Sequence, residues 1–331
     1  MAGRGTLPLR NDALLVAQEL RVVHGRGRRA VTAVDGISFD IRAGETLGLV
    51  GESGSGKSSA LRAILQLPPP TSGSVSFGGT QLTGLGKHRL RAHRRQIQVV
   101  LQDPFSSLNP RHRVFDIVAE PLRIWEPDDP SLNMRVTELL AAVGLDDASV
   151  GRRFPGQLSG GQQQRVAIAR ALALSPRLLL CDEAVSSLDV SVRAQVLNLL
   201  RDLKARFELT MLFVAHDLAV VRNVSDRIAV MYGGLLCEIG SAEVIFARAA
   251  HPYTLRLIES ARPTGGSAAR ADEGPGAAIR SGAEPVPSRP QGCPLQAQCP
   301  RAHARCATET PMMRRIDSDH FVACHAPEAT S

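Results

Sequence analysis

The chain has 331 residues, a formal charge of +7 and 44% hydrophobic residues. This length predicts about two domains of roughly 100–200 residues, and the hydrophobic fraction excludes a wholly disordered chain. No segment approaches the roughly 18–20 apolar residues of a membrane span, and the first residues lack the apolar core of a secretory signal.

Apolar runs and helical periodicity place the predicted elements along the chain. The strands predicted from apolar runs are residues 15–23, 31–41, 46–50, 97–101, 178–181 and 210–215. The helices predicted from periodicity are residues 57–67, 136–143, 161–174 and 192–207. Between residues 73 and 101 the pattern indicates short strands and a basic stretch. Strands that alternate with helices are typical of an α/β fold with a parallel sheet.

Composition divides the chain into three parts. Residues 1–260 form the main domain, in which the polar, proline-punctuated residues 104–157 indicate an inserted helical subdomain. Residues 261–290 are rich in Pro, Gly and Ala and predict a linker. Residues 291–331 carry four of the six cysteines and predict a small cysteine-rich tail.

The segment after the third strand matches the phosphate-loop pattern G-x-x-x-x-G-K-[ST]. Glycines let the backbone curl so that its N–H groups face phosphate oxygens, and the following helix adds the positive end of its dipole. Lys57 supplies a mobile charge to the β- and γ-phosphates, and the Ser58 hydroxyl can ligate Mg²⁺. The predicted nucleotide-binding residues of this segment are Gly51, Ser53, Gly54, Ser55, Gly56, Lys57, Ser58 and Ser59.

Two carboxylates follow the apolar strand at residues 178–181. Asp182 stands at the strand end, where it can hold Mg²⁺, and Glu183 can polarise an attacking water. On its own this pattern is an ordinary strand-to-turn junction. Its combination with the phosphate loop favours a catalytic role.

A Ser-Gly-Gly-Gln segment opens the helix predicted at 161–174 and offers a second anion site at a helix N-terminus. Its residues are Ser159, Gly160, Gly161 and Gln162, preceded by Leu158. Together with the two earlier motifs, this segment resembles the signature of the ATP-binding cassette (ABC) family. The resemblance covers about residues 14–260 and implies a P-loop NTPase fold: a parallel sheet core, an antiparallel β subdomain and a helical insertion.

The resemblance also implies roles for residues outside the three motifs. Gln102 stands where the family has its Q-loop glutamine, which contacts Mg²⁺ and nucleotide and couples them to residues 104–157. Asp189 ends a segment that resembles the D-loop, and His216 resembles the switch histidine that holds the γ-phosphate. The family's head-to-tail dimer implies that the phosphate loop of one ATPase faces the signature of a second, across ATP.

Three further segments narrow the resemblance to ATPase subunits of dipeptide, oligopeptide and nickel importers. They are residues 102–111, residues 181–191 and the His-Pro-Tyr-Thr sequence at 251–254. This likeness implies a peripheral protein on the cytoplasmic face of the membrane that hydrolyses ATP to import peptides. The implied partners are a second ATPase, either a copy or a paralogue, two transmembrane permease subunits and, indirectly, a solute-binding protein.

Other functions remain open at this point. The chain is alternatively an ATPase for nickel or another small solute, or a soluble ABC ATPase that acts on nucleic acid or ribosomes. A regulatory module without hydrolysis is disfavoured by Glu183 and His216. The basic clusters at residues 21–29 and 87–95 lie within the nucleotide-binding domain, so we expect ATP, and no nucleic acid, as the main polyanion.

Two positions depart from the family pattern. Ala184 stands where relatives commonly have proline, a change that affects turn stiffness and not charge. His24 stands near the position of the aromatic residue that stacks on adenine, so it is the candidate for that contact or, alternatively, a solvated loop residue.

The tail cysteines are spaced C-x₅-C-x₆-C-x₁₇-C, without the close pairs of a zinc ribbon. Four thiolates suit a [4Fe–4S] cluster, and relatives share such a tail. The predicted ligands are Cys293, Cys299, Cys306 and Cys324. Zinc is the alternative, with His303, His320 or His325 in place of a thiolate, and free thiols are the third possibility. Cys181 and Cys237 lie in apolar runs and are predicted to be buried.

Overall fold

The structure is a computed structural model that describes residues 7–10, 12–147, 149–261 and 292–328. Its strands are β1 (Leu15–His24), β2 (Val31–Ile41), β3 (Thr46–Val50), β4 (Ser72–Phe77), β5 (Thr80–Gln81), β6 (Ile97–Val100), β7 (Leu178–Asp182), β8 (Thr210–Ala215), β9 (Arg227–Tyr232), β10 (Leu235–Ser241), β11 (Arg314–Asp317) and β12 (His320–Val322). Its α-helices are α1 (Lys57–Ile64), α2 (Lys87–Gln96), α3 (Pro104–Ser107), α4 (Val114–Trp125), α5 (Leu132–Ala142), α6 (Gly160–Leu172), α7 (Val190–Phe207), α8 (Leu218–Arg222), α9 (Ala242–Arg248), α10 (Pro252–Ser260) and α11 (Ala304–Thr308).

The main sheet has eight strands in the order β11-β12-β10-β9-β3-β8-β7-β6. Strands β9, β3, β8, β7 and β6 run parallel to one another. Every residue of β3, β7 and β8 is buried, as expected where helices cover both faces of a parallel sheet. The carboxyl ends of these strands meet at one edge, which is where open α/β sheets bind ligands.

A second, antiparallel sheet has the order β2-β1-β4-β5 and packs beside α1. Together with one face of the main sheet it encloses one hydrophobic core. The other core lies on the opposite face and includes the helical subdomain. The predicted parallel core, antiparallel subdomain and helical insertion are therefore confirmed.

The helical subdomain contains α3, which begins at Pro104. Asp103 caps this helix by accepting hydrogen bonds from the N–H groups of Phe105 and Ser106. Helices α3, α4 and α5 pack against α6. The subdomain therefore joins the rest of the molecule through the helix that carries the signature at its N-terminus.

Helix α2 was not predicted from the sequence, because it has no apolar stripe. In the structure, none of its residues is buried. It is fixed instead by polar contacts, since the Arg94 guanidinium donates to the carbonyls of Leu65 and Gln66 at the end of α1. None of the helices in the described ranges is long and apolar enough to cross a membrane.

The tail continues the main sheet. Strand β12 pairs antiparallel with β10, where Val322 lies opposite Glu238, and β11 pairs with β12. Residues 262–291, which hold nearly all of the predicted linker, lie outside the described residues. The division of the chain at residues 260 and 290 therefore stays a prediction.

Candidate nucleotide site

The phosphate loop lies between β3 and α1 at the carboxyl edge of the main sheet. Gly54 and Gly56 have φ values of +83° and +103°, in the left-handed region that favours glycine. A Cβ on Gly51 would lie 2.1 Å from the carbonyl oxygen of Met231, so the loop packs directly against the end of β9. The glycines are required by the backbone here, as the sequence motif predicts.

Lys57 is buried inside the loop, with 4% of its surface exposed. Its Nζ donates to the carbonyl oxygens of Gly51, at 2.7 Å, and Glu52, at 2.8 Å. Burial lowers the pKa of Lys57, and the nearby carboxylates of Glu183 and Asp182 partly offset this shift. The ammonium therefore lies at the loop centre, where its charge is little screened by water.

Ser58 and Asp182 meet beside this ammonium. The Ser58 hydroxyl donates to Asp182 Oδ1 at 2.9 Å, which joins the first turn of α1 to the end of β7. Burial raises the pKa of Asp182, and the hydrogen bond from Ser58 partly offsets the rise. One hydroxyl and one carboxylate are oxygen ligands of the kind that Mg²⁺ uses alongside water and phosphate, so the pair fits the predicted metal position.

Glu183 follows β7 in a left-handed conformation, with φ of +48°. Such a conformation is uncommon for a residue other than glycine and is often found at functional sites. The Glu183 N–H donates to the Val214 carbonyl, at 3.0 Å, which fixes this turn against β8. His216 follows the end of β8, and its Nδ1 lies 3.7 Å from Glu183 Oε2. The structure thus brings the predicted base and the predicted switch histidine together.

Gln102 is exposed just beyond β6. Its carbonyl oxygen accepts a hydrogen bond from the Ser187 hydroxyl at 3.4 Å, so the predicted Q-loop lies against the predicted D-loop segment. Asp189, the last residue of that segment, caps α7 without a side-chain hydrogen bond and is exposed. Ala184, the departure from the family pattern, is 1% exposed and packs into the core.

The signature segment lies at the N-terminus of α6. Ser159 and Gln162 form a capping box, in which the Ser159 Oγ accepts from the Gln162 N–H and the Gln162 Oε1 accepts from the Ser159 N–H. Ser159 and Gly160 are exposed. Gly161 is buried, and a Cβ there would lie 2.5 Å from Val192 in α7. The first two positions therefore face outward, whereas the third serves helix packing.

His24 lies at the end of β1 and is exposed, with its Nε2 2.9 Å from the hydroxyl of Ser59 in α1. The structure therefore places His24 beside the phosphate loop. The assignment of adenine stacking to this ring stays a prediction.

One functional contact was missed from the sequence. The backbone N–H of Glu52, in the phosphate loop, donates to the phenol oxygen of Tyr253 at 2.8 Å. Tyr253 belongs to the His-Pro-Tyr-Thr sequence, which by itself indicates only a family resemblance. A buried tyrosine usually has a hydrogen-bond partner for its hydroxyl, so the sequence could indicate that a partner exists. It could not identify that partner, which is 201 residues away in the chain.

The predicted [4Fe–4S] cluster is not supported. Within the described residues, which include Cys293, Cys299, Cys306 and Cys324, no group of three or more His, Cys, Asp or Glu side chains could hold a metal ion. Burial raises the pKa of Cys293 to about 11 and also raises that of Cys324. The structure does not support the alternative zinc site either.

Two of the three histidines predicted as zinc ligands have other partners. His320 Nε2 lies 2.6 Å from Glu238 Oε1, and His325 Nε2 lies 2.9 Å from the carbonyl oxygen of Glu309. His303 packs its ring edge-on against His325. Cys181 and Cys237, by contrast, are buried as predicted.

Two family models match the chain. The ABC transporter model matches residues 34–186, and the model of the C-terminal region of oligopeptide/dipeptide transporters matches residues 237–306. The second match includes β10, the His-Pro-Tyr-Thr sequence and part of the tail.

Curated relatives match over most of their length. The oligopeptide transport ATP-binding protein AppF of Bacillus subtilis is 44% identical over 300 residues, 89% of each chain. The putative oligopeptide transport ATP-binding protein YkfD of the same organism is 42% identical over 321 residues, 96% of each chain. A putative peptide import ATP-binding protein of Brucella abortus is 46% identical, covering 90% of this chain and 88% of that one.

Solved structures share the fold. The ATP-binding cassette MJ0796, in a dimeric post-hydrolysis state bound to ADP and Pi, superposes with a TM-score of 0.63 and 30% identity, over 69% of this chain and 98% of that one. The cbiO1 protein from Clostridium perfringens, part of the cbiONQ ABC transporter complex, gives a TM-score of 0.65 at 26% identity, over 72% and 92% of the chains.

Proposed function

The chain belongs to the ABC transporter ATPases, and we propose that it powers the import of peptides through separate membrane subunits. It is an ATP-hydrolysing cassette by its family and fold. The observation that supports peptides as cargo is the match of residues 237–306 to the C-terminal region of oligopeptide/dipeptide transporters. The names of relatives at 42–46% identity, which refer to peptide transport and import, agree with it.

We assign the following roles to the residues at the carboxyl edge of the main sheet. Lys57 binds the β- and γ-phosphates with a charge that is held inside the loop. Ser58 and Asp182 hold Mg²⁺, which when bound neutralises phosphate charge. Glu183 accepts a proton from the attacking water, and His216, 3.7 Å away, binds the γ-phosphate. Gln102, at the start of the helical subdomain, would contact Mg²⁺ and the nucleotide.

The signature segment acts in a second nucleotide site, on another ATPase. Ser159 and Gly160 are exposed at the N-terminus of α6, where backbone N–H groups attract an anion. The cassette MJ0796 has been solved as a dimer, and a head-to-tail dimer of this chain would place Ser159 and Gly160 against ATP on the partner's phosphate loop. The partner is a second copy or a paralogue. We assign the exposed Asp189 to the same interface, because it caps α7, which packs against the signature helix α6.

The proposed place of the chain is the cytoplasmic face of the membrane. There two permease subunits contact the helical subdomain, α3 to α5, and a solute-binding protein delivers the peptide to them. A nickel importer is the second candidate from the sequence, and no observation on this structure favours it.

The test is the cargo dependence of ATP hydrolysis by the whole assembly. The tagged chain is purified from membranes with its bound subunits and placed in lipid vesicles with the solute-binding protein. Addition of a mixture of di- and oligopeptides should raise the ATPase rate, whereas Ni²⁺ should not. The same assembly carrying Glu183→Gln gives the background ATPase rate. A rate raised by Ni²⁺ alone, or co-purification of RNA in place of membrane subunits, would contradict the proposal.

A further inference from the structure

The first turn of α10 contacts the phosphate loop. Tyr253 is fully buried, and its phenol oxygen accepts the hydrogen bond from the Glu52 N–H at 2.8 Å. Its ring packs against Tyr232 at the end of β9, with ring centroids 4.7 Å apart. The hydroxyl therefore stands at a fixed place and holds one backbone group of the loop.

This backbone group matters because Glu52 also contacts the loop lysine. The Glu52 carbonyl accepts a hydrogen bond from Lys57 Nζ at 2.8 Å. One residue is thus fixed through its N–H by Tyr253 and orients, through its C=O, the ammonium that meets the phosphates. A shift of this residue would change the position of the Lys57 charge as well as the start of the loop.

The turn that carries Tyr253 is itself held by side chains. Burial lowers the pKa of His251 to about 4, so its ring is neutral near pH 7, and its Nδ1 accepts from the Tyr253 N–H at 3.1 Å. Glu238, in β10, accepts from the N–H groups of Ala250, at 2.6 Å, and His251, at 3.1 Å. Glu238 is fully buried, so these donors satisfy a carboxylate that water does not reach.

The tail supplies the remaining partner of Glu238. His320, in β12, is 1% exposed, and its Nε2 donates to Glu238 Oε1 at 2.6 Å. A continuous set of buried contacts therefore leads from β12 through Glu238 and the turn to the phosphate loop. Neither the family roles of the nucleotide motifs nor the peptide assignment accounts for this connection.

We propose that Tyr253 is a positioning residue for ATP, which holds the phosphate loop in its binding conformation, and that the docked tail supports it through His320 and Glu238. The mechanism is preorganisation. A loop that loses this bond spends part of its time in other conformations, and the apparent affinity for ATP falls by that fraction. The proposal rests on ATP binding at the phosphate loop, as the proposed function requires.

Removal of the single hydroxyl tests the first part. Tyr253→Phe keeps the ring and its packing, and Tyr232→Phe is the matched control, because no hydrogen bond from its hydroxyl to the loop is found among the described residues. We expect the Kd for ATP of the full chain, measured by calorimetry, to rise about 3- to 10-fold in Tyr253→Phe, the effect of one hydrogen bond. The control should stay at the wild-type value.

Amide exchange gives a readout that general destabilisation does not reproduce. In Tyr253→Phe, hydrogen exchange should accelerate in a peptide containing Glu52 and stay unchanged in peptides from β7 and β8. The melting temperatures of the two Tyr→Phe variants should be similar. An unchanged Kd with unchanged exchange at Glu52 would overturn the positioning role, as would a Kd change that the Tyr232→Phe control shares.

A pair of variants at His320 tests the contribution of the tail. His320→Leu removes the donor to Glu238, whereas His320→Gln keeps an N–H donor near the position of Nε2. We expect the Kd for ATP to rise in His320→Leu and to return toward the wild-type value in His320→Gln. Equal ATP affinity in the wild type and both variants would overturn the tail's part in the proposal.

Lys57→Gln separates this proposal from the assignment of the site. ATP binding as tight as in the wild type would mean that the phosphate loop is not the nucleotide site, and the proposed function would fail with it. Weak binding by Lys57→Gln together with wild-type binding by Tyr253→Phe would remove only the role of Tyr253.

Discussion

The phosphate loop and the signature segment are both candidate anion sites at helix N-termini. They differ in how many of the contacts around each segment come from this chain itself. The loop is closed by its own chain: Lys57 is buried, Ser58 is bonded to Asp182, and Tyr253 holds Glu52. The signature has only its local capping box, and Ser159 and Gly160 remain exposed. The difference agrees with the proposal that the chain builds one preorganised half of a nucleotide site and presents the other half to a partner.

Among the variants that probe this comparison, the largest expected effect is at the loop lysine. Lys57→Arg keeps the charge but places a planar, larger head between the carbonyls of Gly51 and Glu52, where Nζ now fits at 2.7 and 2.8 Å. We expect turnover of the assembled ATPase to fall roughly 10²–10³-fold, as for loss of one preorganised donor to a transition state. Lys87→Arg is the control, because Lys87 is exposed on α2. Equal turnover in Lys57→Arg and Lys87→Arg would show that the loop accommodates the larger guanidinium, and would contradict the tight fit around Lys57.

A smaller effect is expected at the signature. Gly160→Glu adds a negative charge at the first turn of α6, where the helix dipole tolerates it, but where it would repel phosphate on a partner. Turnover of the assembly should fall at least about 10-fold, while ATP binding by the isolated chain stays unchanged. Gly156→Glu is the matched control, since a Cβ at this exposed glycine contacts nothing within 4 Å.

This signature experiment tests the comparison of the two regions directly. Loss of ATP binding by the isolated Gly160→Glu chain would mean that both segments belong to one site within one chain. Turnover equal to that of Gly156→Glu would mean that the exposed signature meets no nucleotide.

The last expected effect is on stability, not turnover, and concerns the packing that holds the loop. Burial lowers the pKa of His251 from 6.5 to about 4, so the unfolded chain binds a proton below about pH 6.5 that the folded chain binds only near pH 4. The free energy of unfolding should therefore decrease as pH falls through this window, by up to about 3 kcal/mol. His251→Asn keeps an N-cap acceptor without a titrating group, and its unfolding free energy should vary less over this window. The unfolding free energies of the wild type and His251→Asn are measured by chemical denaturation at pH 7, 6, 5 and 4.5. An equal pH dependence in the two proteins would contradict this account.

The nucleotide edge was predictable from the sequence because its signals are local. Each motif directly follows a buried strand, and parallel strands bring their carboxyl ends to one edge, so Lys57, Asp182, Glu183 and His216 had to lie near one another. The left-handed conformation of Glu183 and the placement of His24 beside Ser59 depend on side-chain packing, which a motif does not specify.

The tail was less predictable for a physical reason. Strands β11 and β12 have only four and three residues, so they carry little periodicity of their own. They join the main sheet because β12 pairs with β10, from a distant part of the chain, and β11 pairs with β12. The cysteine spacing favoured a cluster, but spacing along the chain does not determine how the thiols are arranged in space. In the described part of the tail, they form no group that could hold a metal ion. The partners of His320 and Tyr253 are likewise set by the docking of β12 and α10 onto the sheet.

The central claim is that this chain hydrolyses ATP at its phosphate loop with Glu183 as the base. The most direct measurement is ATP turnover by the assembly that contains Glu183→Gln, with ATP binding measured on the same preparation. Glu243→Gln, on the exposed surface of α9, is the control for loss of one carboxylate. We predict that turnover falls about 10²–10⁴-fold in Glu183→Gln while the Kd for ATP changes little. Turnover equal to that of Glu243→Gln would contradict the assignment of Glu183.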